Sequence, residues 1–457
     1  MAKTVKTGLM NQLNSIRETA SDEFKRQVPE VRENMGIEEY GLPILNYSII
    51  KNEWIDALIN KIVLTIFDFK MFNNPLKQLE GQAMPLGNSA ENIYVNPAKG
   101  RNYNANDFQG LLQKYEADVK VQYFNINSDR QYAVTINDVI LKRAFKSWDN
   151  LETMIYNLTN SLYNGAYIDE YNFTKALISN AYRNNYAVIE QIDEITDEAK
   201  AKAFTYLARR YFLDFQSPSS NYNAWSKVGG YGRPIVTWTE PDRICFIIKN
   251  EYRAYLDVNV LASAFNIDKA ELLGRIITVD NFDIYNDEGV KEFDGSNIVG
   301  MIADLSWFKI RPQDFYMDLP FRNPNNRSIQ YYLNVIKTYN FSLFANAVIF
   351  ATETPSVPAT GLTFDASSPS EITKEQASVF KMNVTPVNTT DTLEVTSIQA
   401  SDDSSDITSQ FTITYNQNKK EITITPQSSV VKSSVKIAVS CGGASTEKTV
   451  TIAGVQS

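Results

Sequence analysis

A chain of 457 residues carries 44 basic and 53 acidic side chains, a formal net charge of −9, and no histidine. The missing imidazole excludes Ser-His and Cys-His nucleophile activation, histidine acid–base catalysis and the commonest zinc ligand, and the acidic balance argues against coating a polyanion, which needs clustered Lys and Arg to release counterions. Cys245 and Cys441 are the two cysteines, far apart and without CxxC spacing, so neither a disulfide framework nor a structural metal site is indicated and a reducing compartment is expected.

The length accommodates two or three domains with at least one sizeable core. Its 25 Tyr and 24 Phe suit packed interfaces as well as cores. "MAKTVKTGLMNQLNSIRE" lacks the apolar core and small-residue cleavage site of a secretory leader, so export by that route is not expected. The most apolar window, "WIDALINKIVLTIFDF" at 54–69, is broken by Asp56, Lys61 and Asp68 before it reaches bilayer-spanning length.

In chain order, residues 1–40 are polar and charged and read as an amphipathic or mobile arm rather than a core element. "YSIIKNEWIDALINKI" sets Ile50, Trp54, Ile55, Leu58, Ile59 and Ile62 at helical spacing, and "IVLTIFDFKMF" after it reads as a buried strand. Residues 72–97, "FNNPLKQLEGQAMPLGNSAENIYVNP", hold three prolines and two glycines and little periodicity. Such an excursion has little with which to bury itself, and neighbouring copies of the chain are expected to bury it. "ENIYVNP" and "DVKVQYFNIN" form the two strands of a long hairpin, the second alternating Val119, Val121, Tyr123 and Asn125 with polar residues.

The strongest helical pattern follows from about 149 to 185, with Leu151, Met154, Ile155, Leu158, Leu162, Ala166, Tyr167 and Phe173 recurring at three and four. Asp149 and Glu152 have capping-box spacing at its start, and Gly165 leaves open one long helix or two. "TDEAKAKAFTYLARRYFLDF" is a second helix with acids early and arginines late. Strands "RICFIIKN", "RIITVD" and "NIVGMIADL" then mix with short helices near "VLASAFN" and "KAELLG", the latter behind an Asp268–Glu271 capping spacing, as in an α+β domain. "YYLNVIKTYNFSLFANAVIFAT" closes that region with two apolar segments. Beyond the boundary "TETPSVPATG" no arginine or tryptophan occurs, about a third of residues are Ser or Thr, and some seven short alternating strands give the count of an immunoglobulin-like sandwich.

Candidate chemistry is thin. "KVGGYGRP" at 227–234 lacks the GxxxxGK[ST] spacing of a phosphate loop, and a surface loop is the simpler reading. Asp193 with Glu194, and Asp402 with Asp403, lie in polar turns with no apolar pocket to split their pKa values. Asn157-Leu-Thr159 and Asn383-Val-Thr385 match the glycosylation sequon and, with no secretory signal expected, read as coincidences in an Asn- and Thr-rich chain. Trp225, Tyr231 and Trp238 have the makings of a sugar or base platform, against which stands ordinary core or interface packing. No catalytic, cofactor-binding or metal-binding residue is assigned, and no enzyme activity is expected.

Several stretches, in this order, resemble the major capsid proteins of small short-tailed phages of the phi-29 group: "NNPLK" (Asn73–Lys77), "GQAMPLG" (Gly81–Gly87), "ENIY" (Glu91–Tyr94), "LKRAFKSWDNLE" (Leu141–Glu152), "LDVNVLASAFN" (Leu256–Asn266), "RNP" (Arg322–Pro324) and "FANAVIF" (Phe344–Phe350). The resemblance implies an α+β capsid fold of the Hong Kong 97 type over 1–354, followed by an all-β immunoglobulin-like sandwich over 355–457. Within the first part it implies an arm at 1–48, an extended E-loop at about 80–132, a spine helix at about 149–185 and an axial domain at about 190–345. It further implies a virion protein, assembled in the host cytoplasm as hexamers and pentamers of a shell, with scaffolding and portal proteins as partners and double-stranded DNA enclosed without sequence-specific binding. Because rings of identical subunits make heterologous contacts, Asn74, Pro75, Gly81, Pro85, Leu86, Gly87, Glu91 and Tyr94 become candidates for contact between subunits. The alternative is a surface adhesin or carbohydrate-binding protein that uses the C-terminal sandwich.

Overall fold

The computed structural model describes residues 7–64, 72–85, 90–100, 114–228, 233–254, 276–318, 321–323, 325, 328–417 and 419–454. Its helices are α1 (Thr7–Thr19), α2 (Asp22–Gln27), α3 (Ile37–Asn46), α4 (Ser48–Leu64), α5 (Asp138–Ala144), α6 (Trp148–Arg183), α7 (Glu198–Asp214), α8 (Trp225–Val228) and α9 (Asn250–Arg253). The early strands are β1 (Ala90–Val95), β2 (Val119–Phe124), β3 (Ser128–Asn137), β4 (Val188–Gln191), β5 (Ile244–Lys249) and β6 (Ile276–Val279). Next come β7 (Ile284–Tyr285), β8 (Lys291–Phe293), β9 (Ile298–Asp304), β10 (Phe308–Met317), β11 (Phe321–Asn323), β12 (Ser328–Phe341) and β13 (Ala347–Ala351). The C-terminal strands are β14 (Gly361–Phe364), β15 (Glu371–Thr373), β16 (Ser378–Thr385), β17 (Leu393–Ala400), β18 (Phe411–Asn416), β19 (Glu421–Pro426), β20 (Ser434–Cys441) and β21 (Ala444–Ala453). They form two compact units, the first from residues 1–89, 125–173 and 310–339 and the second from 90–124, 174–309 and 340–457.

The first unit is built on aromatic packing among its N-terminal helices. Leu9, Leu13 and Ile16 recur at helical spacing on α1 and are buried with Phe24, Val28 and Val31 in one core. Residues 7–46 therefore correct the expectation of an arm outside the core. Their apolar residues, sparse among charges, fall on a single face once the chain is helical. Ser21 caps α2 by accepting from the Phe24 amide, and its own hydroxyl donates to Glu53 Oε2 at 2.8 Å. Trp54 of α4 donates its indole N–H to Tyr40 Oη at 2.9 Å, and Trp148 donates to the Met35 carbonyl at 3.1 Å. Phe145 closes the group, its ring centroid 5.1 Å from that of Trp54. The helical reading of 47–62 holds, whereas Ile62–Leu64, read as the start of a strand, continue α4. The rest of that strand lies outside the described residues.

The 36-residue helix α6 is continuous, roughly 54 Å at 1.5 Å per residue. Its N-cap is Ser147, whose hydroxyl accepts from the Asn150 amide at 3.2 Å, in place of the expected Asp149. Gly165 does not break it. A Cβ there would sit 3.3 Å from the Tyr132 ring of β3, so the glycine admits that ring, whose hydroxyl donates to Asp169 Oδ2 one turn on at 2.8 Å. β3 pairs antiparallel with β12 from Ser128↔Lys337 to Asn137↔Ser328, and β10 and β11 also pair with β12.

In the second unit a five-stranded mixed sheet runs β4-β13-β9-β5-β6. β5, β9 and β13 are buried along their whole length, as a strand covered on both faces requires. Gly300 is needed where β9 meets β5, because a Cβ would lie 2.5 Å from the Ile247 carbonyl oxygen. Phe204, Ala208, Tyr211 and Phe212 of α7 pack with Phe246 and Phe350 of the sheet. The short helices expected near "VLASAFN" and "KAELLG", with the Asp268–Glu271 cap, lie outside the described residues.

The C-terminal region is a two-layer β-sandwich of sheets β14-β16-β19-β18 and β15-β21-β20-β17. Its core gathers Phe380, Met382, Ile398, Ile422, Ile424, Val435, Ile437 and Val439. Among the described residues eight strands are present where seven were read. The added β15 is a three-residue strand paired in parallel with β21, too short to show a period. The sandwich is tied to the turn after α6: Asn185 Nδ2 donates to the Asn388 carbonyl at 2.9 Å, Asn388 Nδ2 donates to the Asn184 carbonyl, and Tyr182 Oη donates to the Glu353 carbonyl at 2.7 Å.

The N-terminal aromatic group yields a graded test. Trp54→Ala should cost about 3–5 kcal/mol. Tyr40→Phe, which leaves the buried Trp54 N–H without its acceptor, should cost about 1–3 kcal/mol. Denaturant unfolding of the full chain measures both; equal, negligible losses would show that residues 7–46 are peripheral.

Candidate assembly surface

The stretch expected to depend on neighbours is partly held by its own chain. Asn74 Oδ1 accepts from the Leu76 amide at 2.9 Å, capping a 3₁₀ turn over Pro75–Leu79. Leu76 and Leu79, three apart, are both buried. The following residues run along the edge of β10: the Gly81 amide donates to the Ile310 carbonyl and the Met84 amide to the Pro312 carbonyl, each at 2.9 Å. Two leucines at 3₁₀ spacing and a free strand edge are sufficient anchorage. This corrects the expectation that nothing in 72–85 buries itself.

The hairpin expected at "ENIYVNP" and "DVKVQYFNIN" is present as β1 and β2, in antiparallel register from Ala90↔Phe124 to Val95↔Val119. Alternation along the strands divides it into two faces. Asn92, Tyr94 and Gln122 lie on one. Asn92 Nδ2 donates to Ser342 Oγ at 2.8 Å, Gln122 Nε2 donates to the Phe341 carbonyl at 3.0 Å, and the Leu343 amide donates back to Gln122 Oε1 at 3.1 Å. Tyr94 donates to the Val236 carbonyl and sets its ring 6.0 Å from Phe344.

Asn96, just past β1, ties down the Val95–Val119 end of the hairpin. Its buried amide nitrogen donates to Asp118 Oδ2 at 2.7 Å and to the Pro234 carbonyl at 3.2 Å, while its oxygen accepts from the Val236 amide at 3.0 Å. The Asn96 hydrogen bond, aided by Lys120, holds the Asp118 carboxyl below the usual carboxylate range.

The opposite face is apolar and open. Ile93, Val95, Val119, Val121 and Tyr123 are 56%, 54%, 46%, 37% and 65% exposed, and the register sets Ile93 beside Val121 and Val95 beside Val119. A contiguous exposed apolar strand face is a candidate for contact with another surface. Each such side chain is worth about 1.5–3 kcal/mol when fully buried.

Of the eight contact candidates, Pro75 and Pro85 are exposed, and Glu91 is exposed opposite Tyr123 on the open face. Asn74 and Tyr94 instead make the bonds within the chain given above, and Gly81 lies against the Arg311 guanidinium. Leu86 and Gly87 lie outside the described residues. Sequence reasoning missed Asn96, which stood only as the end of the strand "ENIYVNP", and took the valines as ordinary strand residues.

Among the described residues the other motifs assemble no site. Trp225 packs its ring 5.4 Å from Phe344, Trp238 is half exposed, and Tyr231 lies outside the described residues, as do most of the "VGGYG" positions. Lys432 bonds both Asp402 and Asp403, at 2.9 and 2.7 Å, in an exposed turn. Among the described residues no cluster of acidic or cysteine side chains has the geometry of a metal site, and no helix is long and apolar enough to cross a membrane.

Residues 13–351 match the family model described as the Phi29-like phage major capsid protein. The chain belongs to that family. The major capsid protein of Bacillus phage B103 is 30% identical over 344 residues, covering 74% of this chain and 72% of that one. That of Bacillus phage PZA is 30% identical over 352 residues, covering 76% and 73%. That of Streptococcus phage Cp-1 is 25% identical over 341 residues, 73% of this chain and 92% of the relative. A capsid structure of Staphylococcus phage Andhra shares the fold at a TM-score of 0.52 and 13% identity, over 63% of this chain and 87% of its own. The chain is thus a phage major capsid protein of mixed helix and strand, and the comparisons lend the adhesin alternative no support. The family match ends where the C-terminal sandwich begins.

For the capsid protein's hairpin the expected outcome is specific. Asn96→Ala leaves the Val236 amide without its acceptor and should weaken the hairpin's hold by about 1–3 kcal/mol. Hydrogen exchange in 90–95 and 119–124 should accelerate while that of β5 and β9 is unchanged; unaltered exchange in the hairpin would refute the role given to Asn96.

Proposed function

We propose that this capsid protein builds the closed, icosahedral-type shell of a tailed phage head around double-stranded DNA, as hexamers and pentamers, without catalysis. The reading rests on one observation: the hairpin is fastened to its own chain by a polar face while its apolar face is open. A second copy supplies the natural cover, since a ring of identical subunits offers the same surface to each neighbour.

In this reading the fold is of the Hong Kong 97 type. Residues about 80–132 are its E-loop, α6 its spine helix, about 190–345 its axial domain, and 1–48 its N-terminal arm, whose described residues include helices α1 to α3. The strands after residue 355 are an immunoglobulin-like domain carried on the shell. Pro75, Pro85 and Glu91, all exposed, remain candidates for contact between subunits, with Leu86 and Gly87 beside them in sequence. Scaffolding and portal proteins guide assembly in the host cytoplasm, and the enclosed DNA is held without base-specific contacts.

Replacing Ile93 and Val121 together by Asp tests the reading. The variant should keep the circular dichroism of the unaltered chain yet lose shell formation when coexpressed with a scaffolding protein, as seen by electron microscopy and sedimentation. Shells of normal yield would remove the apolar face from assembly.

A further inference from the structure

We propose that Lys77, Glu80, Glu170 and Lys337 form an acid-sensitive latch that fastens residues 75–84, the approach to the hairpin, onto α6 and the sheet of β3, β12 and β10. The proposal concerns the single chain and stands apart from the shell reading.

Three elements meet at this point. Lys337 of β12 places Nζ 3.1 Å from Glu80 Oε2 and 3.2 Å from Glu170 Oε2, the latter on α6. Lys77 of the 3₁₀ turn reaches the same two oxygens at 3.5 and 3.7 Å. The side chains of Lys337 and Glu170 are each 6% exposed and that of Glu80 14%. The two carboxyl groups are hydrogen-bonded to each other as well. A cavity of about 180 Å³ adjoins the group.

The remaining charged and titratable groups nearby are engaged as follows. Asp169 accepts from Tyr132, Arg130 lies over the Phe173 ring, and Arg311 on β10 donates to the Gln82 carbonyl at 3.2 Å. Tyr167 stands beneath Lys77, and Tyr339 lines the cavity.

Two carboxylates so close compete for one proton, and their surroundings separate them. Burial raises Glu170 above the usual range, against the pull of Lys337, and its bond to Glu80 adds to the rise. Burial also works to raise Glu80, but Lys337, the bond from Glu170 and Lys77 together outweigh it and hold Glu80 below the usual range. Glu170 therefore takes the pair's first proton and Glu80 keeps the charge. The folded Glu80 value lies under its unfolded one, so its contribution is present above the unfolded value and is lost as pH falls through the folded value. Glu170 runs the other way: its contribution is present below its unfolded value and lost as pH rises through its folded one. Below the unfolded Glu80 value, with Glu170 already protonated, acid loosens the latch. Once Glu80 is protonated, the buried Lys337 ammonium loses the charge that faces it from the turn, and the Gly81 and Met84 amides that bond β10 are free to open.

Hydrogen exchange of the full-length chain at pH 5 and pH 3, expressed as protection against the intrinsic rate, reads the latch directly. In the unaltered chain, protection of a peptide spanning 75–85 should fall several-fold at pH 3, while peptides from β12 keep theirs. Glu80→Gln should exchange fast at both pH values. Glu170→Gln should retain protection at pH 5, because Lys337 keeps its ion pair with Glu80. The proposal is overturned by equal protection of 75–85 at both pH values, by the same pH response persisting in Glu80→Gln, or by simultaneous loss in β12.

Discussion

The structure turns on the alternation of side chains along a two-stranded ribbon. A hairpin by itself is marginal in water, so β1 and β2 need an anchor, and Asn92, Tyr94, Asn96 and Gln122 provide one by bonding the chain's own carbonyls, amides and hydroxyl. Because successive residues point to opposite faces, the same act that satisfies the polar face turns Ile93, Val95, Val119, Val121 and Tyr123 outward. Orientation and availability of the apolar face are one consequence of one period.

This arrangement revises the reason for the long excursion after α4. A segment with no stability of its own would leave its position to whichever neighbour arrived. Residues 72–85 instead lie on their own sheet edge, through Leu76, Leu79 and the Gly81 and Met84 amides. The hairpin that follows in sequence is likewise bonded to its own body. Preorganisation of this kind lowers the ordering entropy lost on association, which suits a protein that joins many copies of itself. The absence of histidine is consistent with the same picture, since packing and hydrogen bonding of fixed geometry need no proton carrier near neutral pH.

Much of the architecture was legible in the residues. The periodic apolar face of α6, the alternating strands of the hairpin and the serine- and threonine-rich strands after residue 355 each follow from a pattern long enough to repeat. What escaped was local and depended on tertiary partners. Ser147 caps α6 instead of Asp149, a shift of two residues within a polar run where either side chain is a good cap. Gly165 leaves one helix or two open until Tyr132 is seen against it. The N-terminal helices read as an arm because Tyr40 and Trp54 find each other, and Phe145 far along the chain, only in three dimensions. Asn96 left no signal apart from composition, since an asparagine that bonds three backbone or side-chain groups looks in sequence like one that ends a strand. The ordered words of the family resemblance carried what periodicity could not.

A reconstruction of the assembled particle at side-chain resolution tests the central claim most directly. The account predicts that Ile93, Val95, Val119, Val121 and Tyr123 lose their solvent exposure to an adjacent subunit while Asn96 keeps its bonds to Pro234 and Val236 of its own chain. A particle in which that apolar face still meets solvent, or in which the hairpin has left its own body to bind elsewhere, would contradict it.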